Sequence, residues 1–219
     1  MSRNSPTAGS ADRSYSRGVL AGPEDLDAFE RCIAVGGVAL FPADTVYGLA
    51  TEPDSKQGVR RIWAIKGRAP DKPSAVMFFS LDLALEALPE LGERTRHALE
   101  RLLPGALTLV VANPARRFPL ASGLRPDTLG LRVPDLPALA AVRRPILQSS
   151  ANLAGEAEAR LLADVDPAIR RSVDLQLDGG ELAGTPSTVV DLSDLEAGGG
   201  YTVVREGAVP SAEVESALG

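Results

Sequence analysis

Apolar residues recur in short runs along the chain, and the spacing within each run predicts the element that it forms. The runs VALFP at 38–42 and SAVMFFS at 74–80 have the length of buried strands. Val59 and Ile62 are instead spaced as on one face of a helix, and Gly67 indicates where that helix ends. Because strand-like and helix-like segments are interspersed along the chain, we expect an α/β (α+β) fold with a mixed sheet and flanking helices.

The remaining elements follow from the same two patterns. We predict helices over residues 23–35, 54–66, 82–88, 93–103, 136–142, 166–171 and 211–218, the second of them capped by Asp54. We predict strands over residues 38–42, 44–50, 74–80, 107–111, 129–133, 146–149, 173–177, 188–192 and 201–205. Residues 1–17 hold almost no large apolar side chains, which indicates a disordered tail before a single domain at 18–219.

The charge balance argues against a nucleic-acid surface. Acidic residues number 29 and basic residues 23, which gives a net charge of −6, and aromatic residues make up only 4% of the chain. Nonspecific binding of phosphate backbones needs the opposite balance, and unpaired bases stack on aromatic rings. A cleft can still focus positive potential inside an acidic shell, so small anionic ligands are the better expectation.

The single cysteine and the single histidine exclude several kinds of site. Cys32 has no partner for an internal disulfide, and one cysteine with one histidine cannot make a Cys/His zinc site. We interpret His97 as a solvated helical residue and Cys32 as a core residue. No apolar run reaches the ~20 residues of a membrane span, and the polar N-terminus has no secretory core, so we expect a cytoplasmic protein.

One basic residue lies where an apolar residue is expected. Lys66 continues the inward stripe of the helix at 54–66, and Arg68 and Lys72 follow it around Gly67. Two fixed cations beside a glycine turn suit a polyphosphate, because lysine acts as a point charge and arginine as a fork. The alternative is a solvated run of surface charge.

Polar residues also flank apolar strands in three further segments. These are FPADTVYGLA at 41–50, PILQSSANLAGE at 145–156, and PSTVVDLS at 186–193 with YTVVREGAV at 201–209. Hydroxyls and free N–H groups after a strand end can cradle an anion. The alternative for the first segment is a turn capped by its aspartate, and for the second it is a helix cap. For the third it is an arginine on a surface hairpin. The sequence contains neither the dinucleotide fingerprint G-x-G-x-x-G nor a P-loop lysine motif.

Together and in this order, these segments resemble the YrdC-like threonylcarbamoyl-AMP synthase family. The resemblance covers roughly residues 23–210 and includes PGALTLVV at 104–111 and LGLRVPD at 129–135. It implies a twisted open mixed sheet around a concave, positively lined cavity, in the short single-domain form. Relatives commonly carry Thr where Ala43 stands, and many carry Ser-Pro-Thr where this chain reads EAEAR at 156–160.

The resemblance also implies roles for individual residues. Those expected at ATP are Lys66, Arg68, Thr128, Ser150, Asn152 and Arg205, with Lys66 and Arg68 as the catalytic cations. Those expected at threonine are Ala43, Tyr47, Arg132 and Ser187. We expect the basic residues to converge on one cavity. The sequence shows no cluster of carboxylates that would form a dedicated metal site, so we expect Mg²⁺ to bind as a complex with the phosphates of ATP.

The implied activity is nucleotidyl transfer. L-Threonine, bicarbonate and ATP would give threonylcarbamoyl-AMP and pyrophosphate, for a downstream tRNA-modifying transferase complex. We expect no membrane association and no direct tRNA binding. Two alternatives stay open: a noncatalytic RNA-binding module of the same fold, and an enzyme that forms carbamoyl-adenylate.

Overall fold

Short apolar runs fold into the strands of a mixed sheet, and the longer amphipathic segments fold into helices beside it. The computed structural model describes residues 22–70 and 72–219, so the predicted tail at 1–17 lies outside the described residues. The helices are α1 (Pro23–Ala34), α2 (Lys56–Lys66), α3 (Leu81–Ala87), α4 (Glu93–Leu102), α5 (Pro119–Ser122), α6 (Pro167–Ser172) and α7 (Ser211–Leu218). Short 3₁₀ turns cover Pro137–Leu139 and Leu162–Asp164.

The strands join into one sheet. They are β1 (Ala39–Pro42), β2 (Tyr47–Thr51), β3 (Ala75–Met77), β4 (Leu107–Ala112), β5 (Thr128–Arg132), β6 (Ile146–Ser150), β7 (Leu175–Gln176), β8 (Thr188–Asp191) and β9 (Thr202–Arg205). Within the described residues their order is β7-β1-β2-β6-β3-β5-β4-β8-β9. The pairs β7–β1, β3–β5 and β4–β8 are parallel and the others antiparallel, which confirms the predicted mixed α/β sheet.

The two faces of the sheet are covered differently. On one face, alternate strand residues such as Leu49, Val76 and Leu131 pack under helices α2, α3, α4, α6 and α7 in the larger core. On the other face, α1 lays Phe29 and Ile33 over the β1 end of the sheet and builds a smaller core. Burial of apolar side chains on both faces is the main stabilising contribution to the fold.

Beyond the α1 end, the described residues leave the second face of the sheet only partly covered. Residues along β4 alternate between buried and half-exposed, and the half-exposed ones face away from the larger core. Paired residues of neighbouring strands point to the same side, so this partly exposed surface continues across β5, β3 and β6. We call it the open floor, formed by Ala75, Thr108, Val110, Thr128, Gly130 and Ser150.

Four expectations need correction. Ser55, not Asp54, caps α2, because its hydroxyl accepts a hydrogen bond from the N–H of Gly58 at 3.1 Å. The helix predicted at 136–142 is only a 3₁₀ turn at Pro137–Leu139, which ends at Ala140. The strand predicted at 74–80 is shorter, because Ser74 bonds to α5 and Ser80 caps α3. Helix α5 itself was not predicted.

Candidate functional site

Lys66 is the last residue of α2 and lies on the buried side of that helix. Gly67 ends the helix in the left-handed region, at φ 58°, and the N–H of Arg68 returns to the carbonyl of Trp63 at 2.9 Å. The stripe of Val59 and Ile62 carries Lys66 inward, so its side chain is only 4% exposed. The sequence prediction of a lysine on the inward stripe is therefore confirmed.

The Lys66 ammonium is held by the segment that follows β6. It donates to the main-chain carbonyl and hydroxyl of Ser150, and to the main-chain carbonyl (2.8 Å) and side-chain oxygen (3.0 Å) of Asn152. The same segment returns the N–H of Ala154 to the carbonyl of Lys66 at 2.9 Å. Burial, and next the charge of Arg68, lower the pKa of Lys66 to about 8, while Glu158 opposes this shift. The ammonium is thus mainly protonated at neutral pH.

Arg68 brings a second cation to the same strand end. Its Nη1 donates to the hydroxyl of Ser149 at 3.1 Å, and its Nη2 donates to the carbonyl of Pro73. Burial lowers the pKa of Arg68. No salt bridge within 22–70 and 72–219 neutralises Lys66 or Arg68. Two partly desolvated cations without a paired carboxylate favour an anionic ligand. We call this group the rim clamp: Lys66, Arg68, Ser149, Ser150 and Asn152.

A buried ion pair lies on the same face as the open floor. Arg132 of β5 is 4% exposed, and its Nη2 donates to Asp44 Oδ1 at 2.7 Å. Its Nη1 donates to the side-chain oxygen of Gln148 at 3.2 Å. Asp44 lies in the tight turn between β1 and β2, at φ 70°, a left-handed conformation that is strained for a residue with a Cβ. The ion pair with Arg132 helps to hold that turn.

Several polar atoms around this ion pair have no partner. Asp44 Oδ2, Thr45 Oγ1 and Arg132 Nε are buried and make no hydrogen bond among the residues described. A buried polar atom without a partner costs ~1–3 kcal/mol. The arrangement therefore offers both a donor and an acceptor to a polar ligand.

A third polar group lies toward the other end of the sheet. The hydroxyls of Thr108 and Ser187 are 2.8 Å apart, and Arg205 Nη2 donates to the carbonyl of Ser187 at 2.7 Å. Leu109 pairs with Leu131 in the antiparallel register of β4 and β5, so the next pair along the two strands places Thr108 opposite Arg132. Strand β4 thus links Ser187 and Arg205 to the buried ion pair.

The structure brings some of the predicted site residues together and separates others. Lys66, Arg68, Ser150 and Asn152 are in contact, and Thr128 lies on the open floor with Ser150. Arg205 contacts Ser187 and does not reach the rim clamp through any hydrogen bond of the described residues.

Two residues expected at threonine are fully buried. Tyr47 belongs to the larger core, and its hydroxyl donates toward Asp178 Oδ1 and the carbonyl of Gly180, each at 2.9 Å. Burial is the main reason that the pKa of Tyr47 is raised to about 12. Ala43 belongs to the smaller core. Neither side chain has an exposed surface for a ligand in this arrangement.

Sequence reasoning missed Thr108 and Gln148, and it noted Asp44 only as a polar residue of the segment at 41–50. Asp44, Thr108 and Gln148 complete the polar groups on the open face of the sheet. Gln148 gave a usable signal, since an amide that directly follows the apolar residues of a buried strand requires a polar partner. Thr108 gave none, because threonine is an ordinary strand residue.

Two further features of the described residues bear on the kind of site. Within residues 22–70 and 72–219, no three His, Cys, Asp or Glu side chains are grouped so that they could hold a metal ion. In the same part of the chain, every helix is too short or too polar to cross a membrane.

Comparison with known proteins identifies the family. The Sua5/YciO/YrdC family model, described as "Telomere recombination", matches residues 31–207. The threonylcarbamoyl-AMP synthase of Pyrococcus abyssi is 30% identical over 194 residues, which are 85% of this chain and 55% of that protein. The threonylcarbamoyl-AMP synthase of Xanthomonas campestris is 34% identical over 161 residues, 71% of this chain and 86% of that one.

A solved structure agrees with this result. The crystal structure of Pyrococcus abyssi Sua5 complexed with L-threonine superposes with a TM-score of 0.81 at 29% identity, over 92% of this chain and 60% of that one. The present chain thus spans little more than half of its Pyrococcus relative. Since the family model matches most of the sequence and the same fold recurs at this identity, the chain belongs to the Sua5/YciO/YrdC family.

Proposed function

We propose that the chain is an L-threonylcarbamoyladenylate synthase, a nucleotidyl-transferring enzyme that uses L-threonine, bicarbonate and ATP. The observation that carries the proposal is the rim clamp, where the buried Lys66 and the half-buried Arg68 meet the hydroxyls and carbonyls at the end of β6. The names of the relatives support this activity. The L-threonine bound in the Pyrococcus structure supports L-threonine as the amino-acid substrate. The product serves a tRNA-modifying transferase complex downstream.

The chemistry needs positioning and charge neutralisation more than a strong base. The amino nitrogen of threonine bonds to the carbon of bicarbonate, and water leaves, which gives an N-carboxylate. A carboxylate oxygen then attacks the α-phosphorus of ATP, and the bond from that phosphorus to the bridging oxygen breaks as pyrophosphate departs. Negative charge accumulates on phosphate oxygens, so fixed cations such as Lys66 and Arg68 accelerate the step.

The spacing along β6 suits two substrates that react with each other. Gln148 contacts Arg132, and Ser150 contacts Lys66, so the buried ion pair and the rim clamp meet on one strand. Residues two apart on a strand are about 7 Å apart. We assign the amino acid to the side of Arg132 and Ser187, and the phosphates to the rim clamp.

The rest of the nucleotide lies along the open floor in this proposal. Thr128 faces it from β5, and Arg205 reaches its far end from β9. Gly130 and Ala75 are paired across β5 and β3, and their small size leaves room above the sheet. Mg²⁺ enters bound to the phosphates of ATP, which are its preferred oxygen ligands.

The test is amino-acid-dependent release of pyrophosphate. The chain is incubated with ATP, Mg²⁺ and bicarbonate, each amino acid is added in turn, and threonylcarbamoyl-AMP is identified by mass spectrometry. We expect release with L-threonine, and its loss when bicarbonate is removed. Tight RNA binding in moderate salt without any ATP turnover would instead identify a noncatalytic module. A carbamoyl-adenylate product without threonine would identify the other enzyme class.

A further inference from the structure

Gln148 is the central residue of β6, directly after the apolar Ile146 and Leu147, and its side chain is only 5% exposed. Its orientation follows from its neighbour. Arg132 has only N–H donors, so the atom of the amide that faces Arg132 Nη1 at 3.2 Å is the oxygen. The Nε2 group, which carries two N–H donors, therefore points away from Arg132.

The backbone of Gly48 shows where the Nε2 group lies. A Cβ atom placed on Gly48 would stand 2.8 Å from Gln148 Nε2 and 3.0 Å from the Cβ of Ala43. The amide thus lies directly over the Gly48 backbone and beside Ala43, in space that any larger residue at 48 would fill. Gly48 is paired with Ser150, so this space adjoins the rim clamp.

The surroundings of the amide complete a set of hydrogen-bonding groups. Arg132 Nε is a buried donor without a partner, and Asp44 Oδ2 is a buried acceptor without a partner. Ala43 contributes only a methyl group. Gln148 Nε2 and the Thr45 hydroxyl are therefore uncharged donors beside the buried ion pair, and a ligand that binds between Arg132 and Gln148 needs oxygen atoms for both of them. An amino acid with a carboxylate and a hydroxyl meets this requirement.

We propose that Gln148 binds the amino-acid substrate, with Arg132 fixing the amide so that Nε2 donates to an oxygen of that substrate. This proposal rests on the proposed function and adds a substrate-binding residue to it. Arg132 acts twice in this arrangement, since it presents its own donors and also selects which end of the amide faces the ligand.

The variant Gln148→Glu separates binding from structural support. It keeps the shape and keeps an oxygen facing Arg132, but it replaces the Nε2 donor by a second oxygen, which repels a substrate oxygen. We expect the KM for L-threonine to rise at least tenfold, while the KM for ATP changes less than twofold and the thermal midpoint does not fall. The readout is pyrophosphate release, combined with calorimetric titration of L-threonine.

Gln176→Glu is the matched control. Gln176 also presents its oxygen to an arginine, Arg170, but lies in the edge strand β7. We expect it to leave the KM for L-threonine unchanged. Parallel assays with L-2-aminobutyrate, which lacks the hydroxyl, locate the contact. An equal loss for both amino acids places it at the carboxylate, and a loss for threonine alone places it at the hydroxyl.

Two results would overturn the proposal, and they are distinguishable. If the unmodified chain makes threonylcarbamoyl-AMP and Gln148→Glu keeps a normal KM for L-threonine, Gln148 only supports Arg132 and the inference fails alone. If the unmodified chain releases no pyrophosphate with any amino acid, the proposed function fails and takes the inference with it.

Discussion

Replacing Lys66 by methionine removes a buried positive charge and keeps an unbranched apolar stem with high helix propensity. The proposed function places a phosphate of ATP against this ammonium. A hydrogen bond to a charged group contributes up to ~3 kcal/mol, and a loss of that size corresponds to roughly 150-fold in rate. We therefore expect kcat/KM for ATP to fall by about 10²-fold or more in Lys66→Met.

Stability should change much less, because two effects oppose each other. The pKa of Lys66 is about 8 instead of 10.5, so burial disfavours its charged form by roughly 3 kcal/mol, which methionine recovers. Methionine also leaves the oxygens of Ser150 and Asn152 without their donor, at ~1–3 kcal/mol for each that stays dry. We expect the thermal midpoint to move by only a few degrees.

The assay measures pyrophosphate release and the thermal midpoint on the same preparation. Lys56→Met is the control, since Lys56 is exposed at the opposite end of α2, and it should keep kcat/KM for ATP within twofold. A Lys66→Met variant with near-normal kcat/KM would refute the rim clamp as a phosphate site. A large drop in the midpoint that accounts for the lost activity would also contradict the reasoning, because Lys66 would then act through the fold.

Three further predictions follow from other contacts. Because the pKa of Lys66 is about 8 and ATP favours its protonated form, kcat/KM for ATP should fall above pH 8 with a logarithmic slope near −1; the pH profile of Lys66→Met should lack this decline. Gly58→Ala should lower the free energy of unfolding in urea by about 1–3 kcal/mol, since its Cβ would lie 2.0 Å from Thr51 Oγ1; increased stability would contradict this. Thr188→Val should cost about 2–4 kcal/mol in the same assay, because the buried hydroxyl serves the N–H groups of Gly207 and Val209; an unchanged midpoint of unfolding would refute it.

Much of the fold was predictable because local patterns decide it. Helices α1, α2, α4 and α7 lie where amphipathic spacing and end signals such as Gly67 place them, and most strands match their apolar runs. The order of the strands was not predictable, since β7 pairs with β1 across more than half of the chain and β6 pairs with β2 across nearly half of it. Such pairings depend on packing between distant segments, which no local pattern records.

The candidate site was predictable to a similar extent. Lys66 was identified because a lysine on an apolar stripe conflicts with its surroundings, and its contacts with Ser150 and Asn152 agree with the expected convergence. The contact between Asp44 and Arg132 was not foreseen, because the sequence gives no sign that the β1–β2 turn reaches the end of β5. Arg205 was expected in the same cavity as Lys66. Instead it donates to the carbonyl of Ser187, whose hydroxyl bonds to Thr108, and these contacts place Arg205 at the other end of the open face.

The order in which the rim clamp is synthesised has a consequence for the nascent chain. Lys66 precedes its acceptors Ser150 and Asn152 by 84 and 86 residues. At ~5–20 residues per second, a ribosome needs roughly 4–17 s to span that interval. Throughout that time helix α2 carries its lysine without the oxygen acceptors that hold the ammonium in the folded chain. The rim clamp is therefore completed only after translation has passed β6.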